Sequence, residues 1–354
     1  MDGLDIVACT FQWDGQDGYS FTLDHHEQVP YDYRWKTRLL YLHEQTAEIY
    51  AKTHVYLGHW QGEQIQTFID KRGLTPDFVA VHGQTIFHQP DRNFTAQIGD
   101  GETLVSHLSC PLVCNFRNKD VALGGQGAPL VVMGEKYLFP GHRLFLNLGG
   151  FCNLTYGDLA FDVAPCNIVL NHLYRTLIGG GEADYDPDGA TAAQGQREPA
   201  LLKALDRLDY YQAPPPKSLG WEWVSNRVLP VLEDADAKPA DILHTYCLHV
   251  ARQIARAVEQ VGASQQRLMV TGGGKHHRFL LWQIGLALAP MGVEIDETLP
   301  DSWTESKEAV IFAFLGLRTL LGRTTTLATA TGARQDVVSG SIHLPPGGGK
   351  AFLL

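Results

Sequence analysis

Buried-looking strands that run straight into glycine turns recur along this chain, and the recurrence points to an α/β architecture. Leu144-Phe145-Leu146-Asn147-Leu148 ends in Gly149-Gly150, and Leu268-Met269-Val270 runs through Thr271 into Gly272-Gly273-Gly274. Met1-Asp2-Gly3-Leu4-Asp5-Ile6-Val7-Ala8 reads as the second half of a further unit of strand, glycine-rich turn and strand, whose first half is absent. Strand and helix signals alternate almost throughout, which is the α/β pattern. A chain of 354 residues exceeds what a single core holds, about 250 to 300 residues, so two lobes with a cleft between them are expected.

Residues 31 to 72 read as one long helical region, ended by Gly73 and followed by a strand at 78 to 81. A strand at 94 to 98 leads to a short helix near 101 to 109 and a strand at 111 to 116. Gly124-Gly125-Gln126-Gly127-Ala128-Pro129 then interrupts the pattern and opens a helix, with Pro129 tolerable in its first turn. The lobe boundary is expected there, giving a first lobe of residues 1–126 with the tail 324–354 and a second lobe of 127–323. The second lobe restarts with strands at 144–148, 153–156 and 160–163. A helix at 240–261 follows, with Leu243, Tyr246, Val250, Ile254, Val258 and Val261 at helical spacing, then the strand at 268–270 and a helix at 305–321.

The balance of 28 Lys and Arg against 39 Asp and Glu gives a net charge of −11, which disfavours nucleic acid and anionic membranes as partners. No run of about 18 apolar residues suggests a membrane span, and the first residues lack the basic and apolar segments of a signal peptide. The six cysteines, Cys9, Cys110, Cys114, Cys152, Cys166 and Cys247, form no CxxC pair, so buried thiols in a reducing cytoplasm are expected. An anionic ligand would then need backbone N–H groups or a metal.

Glycine turns at strand ends let backbone N–H groups approach phosphates, because no Cβ intervenes and positive φ is allowed. Neither GxGxxG nor GxxxxGK[ST] is present, which argues against Rossmann dehydrogenases and P-loop enzymes. Asp162 ends a strand before Val163-Ala164-Pro165-Cys166-Asn167. It reads equally as a carboxylate near a helix N-terminus, with Asn167 as the cap, and as a general base. His82-Gly83-Gln84-Thr85 suits hydrogen bonding to a sugar or ordering of a loop. Arg117, Lys119 and Asp120 suit an anionic group or one another, and Lys217-Ser218 reads as a solvated loop. Glu308 falls in the first turn of the helix expected at 305, where the dipole alone would explain an acid.

Taken in order, several strings resemble the anhydro-N-acetylmuramic acid kinase family. They are His82-Gly83-Gln84-Thr85, Gln97-Ile98-Gly99, Phe116-Arg117-Asn118-Lys119-Asp120-Val121-Ala122, Gly124-Gly125-Gln126-Gly127-Ala128-Pro129-Leu130, Asn147-Leu148-Gly149-Gly150-Phe151-Cys152-Asn153, Phe161-Asp162 and Gly272-Gly273-Gly274. Lys217-Ser218-Leu219-Gly220, Glu308 and Thr331-Gly332-Ala333 extend the likeness over nearly the whole chain. The resemblance implies the two-lobed actin, Hsp70 and sugar kinase fold (ribonuclease H-like), with a mixed five-stranded sheet in each lobe closing over Mg2+, ATP and substrate. It implies a cytoplasmic enzyme of cell-wall recycling that opens 1,6-anhydro-N-acetylmuramic acid with water and phosphorylates O6 from ATP. Asp162 matches the catalytic aspartate. Asp2, Gly3, Asp5, Gly149, Gly150, Gly272, Gly273 and Gly274 fall on the nucleotide side, and His82, Gln84, Thr85, Arg117 and Glu308 on the sugar side. The metal ligands are not identified, and a homodimer is left open.

The chain departs from the family in three ways. The family's Phe-Asp-x-Gly-Pro-Gly-Asn has Ala164 and Cys166 in place of its glycines, which is expected to tighten the turn or disfavour positive φ. The family's Asp-Phe-Arg reads Asn115-Phe116-Arg117. The family's Ser-Gly-Thr-Ser phosphate turn and first strand precede the point where Met1-Asp2-Gly3-Leu4-Asp5 begins. Two alternatives stay open on these grounds: a truncated, non-catalytic sugar-binding relic, and a kinase of another anhydro-sugar such as levoglucosan.

Overall fold

The computed structural model describes residues 3–179, 184–215 and 217–348, so Asp2 lies outside the described residues. The chain forms two compact units, Met1–Phe139 with Ser306–Leu354, and Pro140–Glu305.

In the first unit, Gly3–Trp13 pairs antiparallel with Tyr19–Pro30. Asp14 closes the turn, its Oδ1 accepting from the Gln16 and Gly18 N–H groups at 2.8 and 3.1 Å. The second strand escaped the sequence reading although its alternation is regular, with Tyr19, Phe21 and Leu23 turned inward and Ser20, Thr22 and Asp24 exposed. Ile6, flanked by Leu4 and Ala8, packs against Ile65, Phe68 and Ile69 of the helix Ala47–Arg72. The helical region expected at 31 to 72 is divided. Asp32 caps Tyr33–Leu40 and Thr46 caps Ala47–Arg72, each side chain accepting an N–H from the first turn.

The remaining strands of this unit pair as a small mixed sheet and a second hairpin, where a single five-stranded sheet was expected. Leu112–Cys114 lies parallel to Val79–Val81 and antiparallel to Ser341–His343, so the tail returns to the first unit as the sequence suggested. Gln84–Gln89 pairs with Phe94–Ile98. Thus Gln84 and Thr85 start a strand that the sequence reading did not contain.

The two units divide elsewhere than at the glycine-rich junction, because the helix Val131–Leu138 belongs to the first unit. Pro129 precedes this helix on a cis peptide bond and is not part of it. Val132, Met133 and Leu138 are buried, Gly134 packs against Ile311, and Glu135 forms an ion pair with Lys307 at 2.6 Å. These contacts tie the helix to Asp301–Leu320 through Lys307 and Ile311.

The second unit holds the mixed five-stranded sheet that was expected. Its order is Glu294–Ile295, Arg267–Thr271, Leu144–Leu148, Phe151–Tyr156, Leu159–Pro165, with the first three strands parallel and the last two added antiparallel. Helix Pro239–Gln260 packs on it through Leu243, Tyr246, Val250, Ile254 and Val258, all fully buried. Val261 terminates that helix.

Candidate active site

In the second unit the parallel strands Leu144–Leu148 and Arg267–Thr271 are in register, with Asn147 opposite Thr271, so their glycine turns emerge side by side at the carboxyl ends. That is where open α/β sheets bind ligands. The glycines there do different jobs. Gly272 has φ +83°, and a Cβ on it would lie 2.6 Å from Asn147 Oδ1 and 2.8 Å from the Leu148 carbonyl. A Cβ on Gly274 would lie 2.7 Å from Leu148 Cβ. Both are therefore required by the packing of one turn against the neighbouring strand. Gly273 is open, with no atom nearer than 4.0 Å to an added Cβ, and Gly150 has only Ile168 at 3.8 Å. Neither Gly149 nor Gly150 has positive φ, so the conformational argument made from sequence does not apply to them.

The Gly149 and Gly150 carbonyls accept N–H bonds from Asn167 at 3.1 Å, Cys166 at 2.8 Å and Ile168 at 3.2 Å. This fastens the hairpin turn to the start of the helix Asn167–Leu173. Asn167 does not cap that helix. Its Nδ2 donates to the Leu148 carbonyl at 2.8 Å, while Thr271 Oγ1 lies 3.4 Å from Asn147 Oδ1. Asn147 and Thr271 were not singled out from sequence as site residues, and Asn167 only as a cap, although all three flank the glycine turns. Ala164 and Cys166 are accommodated without positive φ, Cys166 having φ −121°.

Asp162 sits half-buried on Leu159–Pro165. Its Oδ2 accepts from the Leu219 N–H at 2.9 Å and from Ser218 Oγ at 3.1 Å, while Oδ1 has no donor among the described residues. Burial raises the carboxyl above its ordinary value, and the two donors oppose the rise. Lys217-Ser218 is thus engaged with the carboxylate strand and is not a free solvated loop.

Within the first unit a second cluster forms around Arg117. Its Nε donates to His82 Nε2 at 3.0 Å and its Nη1 to the Gly127 carbonyl at 2.6 Å. His82 Nδ1 faces the Gly83 carbonyl at 2.8 Å, so the imidazole carries its proton on Nδ1 and accepts through Nε2. Burial, with the Arg117 cation beside it, pushes His82 down to about 4, so it is neutral at physiological pH. Burial also lowers Arg117 to about 10, with the Glu308 carboxylate opposing. Arg117 therefore remains a cation.

The glycine-rich string is shaped by a buried acid. Asp120 Oδ2 accepts the Gly127 N–H at 2.7 Å, and Oδ1 accepts from Thr331 Oγ1 at 2.7 Å. Asn115 has φ +63°, a conformation that asparagine tolerates better than most residues. Thr85 Oγ1 accepts from Gln97 Nε2 at 3.3 Å, and Gln84 Nε2 donates weakly to the Thr85 carbonyl at 3.4 Å. Glu308 is exposed, and its helix begins at Asp301, about one turn earlier than expected, which puts Glu308 beyond the first turn. The dipole at a helix start consequently does not explain it. Gly3 and Asp5 lie within the first strand, where Asp5 Oδ1 accepts from Gln28 Nε2 at 3.0 Å.

The profile of the anhydro-N-acetylmuramic acid kinase family matches residues 1–345. An anhydro-N-acetylmuramic acid kinase of Coxiella burnetii is 32% identical over 365 aligned positions, covering 97% of this chain and 94% of the relative. One from Methylorubrum populi is 37% identical over 305 positions, covering 82% and 78%. Among solved structures, the activator of the 2-hydroxyisocaproyl-CoA dehydratase from Clostridium difficile with bound ADPNP is 16% identical, with a TM-score of 0.34 over 55% of this chain and 67% of that one.

Proposed function

Because the chain belongs to the anhydro-N-acetylmuramic acid kinase family, we propose that Asp162 is the general base of its reaction and that Arg117 and Glu308 face the sugar. The chain is a phosphotransferase of amino-sugar metabolism. It takes 1,6-anhydro-N-acetylmuramic acid, ATP and water to N-acetylmuramic acid 6-phosphate and ADP in cell-wall recycling. The observation that carries the residue assignment is the asymmetric Asp162 carboxylate, with Oδ2 held by two donors and Oδ1 without a donor among the described residues, open to accept a proton.

In this mechanism Asp162 Oδ1 accepts a proton from the water that adds to C1. The C1–O6 bond breaks, and O6 takes the γ-phosphoryl group as ADP leaves. A carboxyl raised by burial is a stronger base once ionised, and such a group contributes about 10²- to 10⁴-fold. The open faces of Gly150 and Gly273 leave room for the phosphates and adenosine on the nucleotide side. His82 has both ring nitrogens engaged, so its role is to orient Arg117 toward an anionic or hydroxyl group of the sugar, with Gln84 and Thr85 as further polar contacts.

No group of three or more His, Cys, Asp or Glu side chains among the described residues could cage a metal. The side-chain oxygens of Asn147, Asn167 and Thr271 would instead accept from the water shell of a Mg2+ carried by the nucleotide phosphates, while the Asn167 Nδ2 and Thr271 hydroxyl donate within the protein. When bound, it would neutralise charge on the transferring phosphoryl group. No helix among the described residues is long and apolar enough to cross a membrane, and all six cysteines are free thiols. A reducing cytoplasm is the compartment proposed.

Product analysis by phosphorus NMR tests the function. 1,6-Anhydro-N-acetylmuramic acid should be phosphorylated with a kcat/KM at least about 10²-fold above that for levoglucosan, since a site built to pair polar groups discriminates strongly against their absence. Equal use of both sugars would reassign the substrate. The glycines give a separate prediction. Gly273→Ala and Gly150→Ala should leave the melting temperature unchanged yet weaken ATP binding, whereas Gly272→Ala should cost more than about 1 kcal/mol of stability. Calorimetric titration with ATP and thermal denaturation read the two effects separately, and undiminished ATP affinity in both open-face variants would remove these turns from the nucleotide site.

A further inference from the structure

A closed ring of hydrogen bonds surrounds Asp162. Its N–H donates to the Lys217 carbonyl at 3.0 Å, the Lys217 ammonium donates to the Tyr210 carbonyl at 3.1 Å, and the Tyr210 hydroxyl donates to the Asp162 carbonyl at 2.6 Å. The ammonium also reaches the Ala213 carbonyl at 3.0 Å and stands 4.6 Å from the centre of the Tyr210 ring. Tyr210 is in turn packed against Trp223, with ring centres 5.3 Å apart. No carboxylate pairs with Lys217 among the described residues. Its charge is spent on two backbone carbonyls and an aromatic face.

We infer that Lys217 is a positioning residue for the Asp162 carboxylate, folding the Tyr210–Leu219 segment back so that Ser218 and Leu219 grip Oδ2 and leave Oδ1 for the water. The inference rests on Asp162 being the base. A loop carrying Ser218 and the Leu219 N–H is held against the strand by these bonds and by neighbouring aromatic packing. An ammonium on two carbonyls fixes the loop's curvature in a way that an apolar side chain does not. The grip also sets the carboxylate's acidity, because both donors favour the ionised form.

The titratable groups that interact with the carboxylate are Tyr210 from this segment and Cys152 from the neighbouring strand, while the Lys217 ammonium is turned to the Tyr210 and Ala213 carbonyls. Burial pushes the phenol and the thiol upward, so neither ionises in the range where the carboxylate titrates. A moved acid limb in the rate profile therefore reports Asp162 itself.

The test is the pH dependence of kcat for Lys217→Met beside Asp162→Asn and the parent enzyme. Lys217→Met should shift the acid limb to higher pH, as the carboxylate loses its donors, and lower the plateau kcat by up to about 10²-fold. Its KM for ATP should stay within about twofold of the parent. An unshifted limb and parental kcat in Lys217→Met, with Asp162→Asn inactive, overturns the positioning role alone. Substantial turnover by Asp162→Asn overturns the base assignment and this inference with it. If Lys217→Met fails to fold, Tyr210→Phe decides, since it removes one hydroxyl from the ring and keeps the aromatic face. A limb shift in the same direction supports the inference, and a parental profile overturns it.

Discussion

Asp162→Asn is expected to lower kcat by about 10²- to 10⁴-fold while leaving ATP affinity nearly intact. The amide keeps the shape and can still accept from Ser218 and Leu219 through its oxygen, but it has no basic lone pair to take the water's proton. The same assignment fixes the sign of the pH dependence. A base must be ionised, and burial has raised this carboxyl, so activity should fall on acidification at a pH above that of an ordinary aspartate. Ser218→Ala removes a donor to the ionised form and should move the limb further upward. Steady-state profiles of the parent and Ser218→Ala check this, and retention of more than a tenth of parental turnover by Asp162→Asn would dismiss Asp162 as the base.

Lys307→Met is expected to destabilise the protein by about 3 to 5 kcal/mol. The Lys307 and Glu135 side chains are 5% and 2% exposed, so removing the cation strands a carboxylate where water cannot solvate it. The pair joins Val131–Leu138 to Asp301–Leu320, the helix that also carries Glu308. Replacing both members, Glu135→Met with Lys307→Met, should recover most of the loss, because apolar groups of similar volume do not incur the desolvation penalty. Denaturant unfolding of the single and double variants reads both values. A single variant within about 1 kcal/mol of the parent would mean the pair is better hydrated than its burial indicates.

The parts of the fold that were legible in the sequence are those where one segment carries its own signal. Helix Pro239–Gln260 shows its buried face at three- and four-residue spacing, and the strands ending in Gly149-Gly150 and Gly272–Gly274 carry both their apolar run and their stop. Tyr19–Pro30 has the alternation but followed a turn, Asp14 to Gly18, whose geometry depends on one aspartate side chain. The start of Asp301–Leu320 was placed at 305, about one turn late, although Pro300 stands directly before the helix, and with it went the role of Glu308. Contacts between distant positions were not readable at all. Asp120 meets Thr331 across 211 positions and Arg117 meets His82 across 35, and neither pairing leaves a periodic trace. Asp162 was recognisable as a candidate, but the loop that holds it became visible only when Lys217, Ser218 and Leu219 were seen against its strand.

This enzyme couples hydrolytic opening of an anhydro bridge to phosphorylation of the oxygen released. Turnover of 1,6-anhydro-N-acetylmuramic acid with ATP in water carrying an isotopic oxygen label tests it most directly, with the products read by mass spectrometry. One ADP is expected per N-acetylmuramic acid 6-phosphate, with the label in the hydroxyl at C1 and none in the transferred phosphoryl group. Label in the phosphate, or ADP released without sugar phosphate, would contradict it.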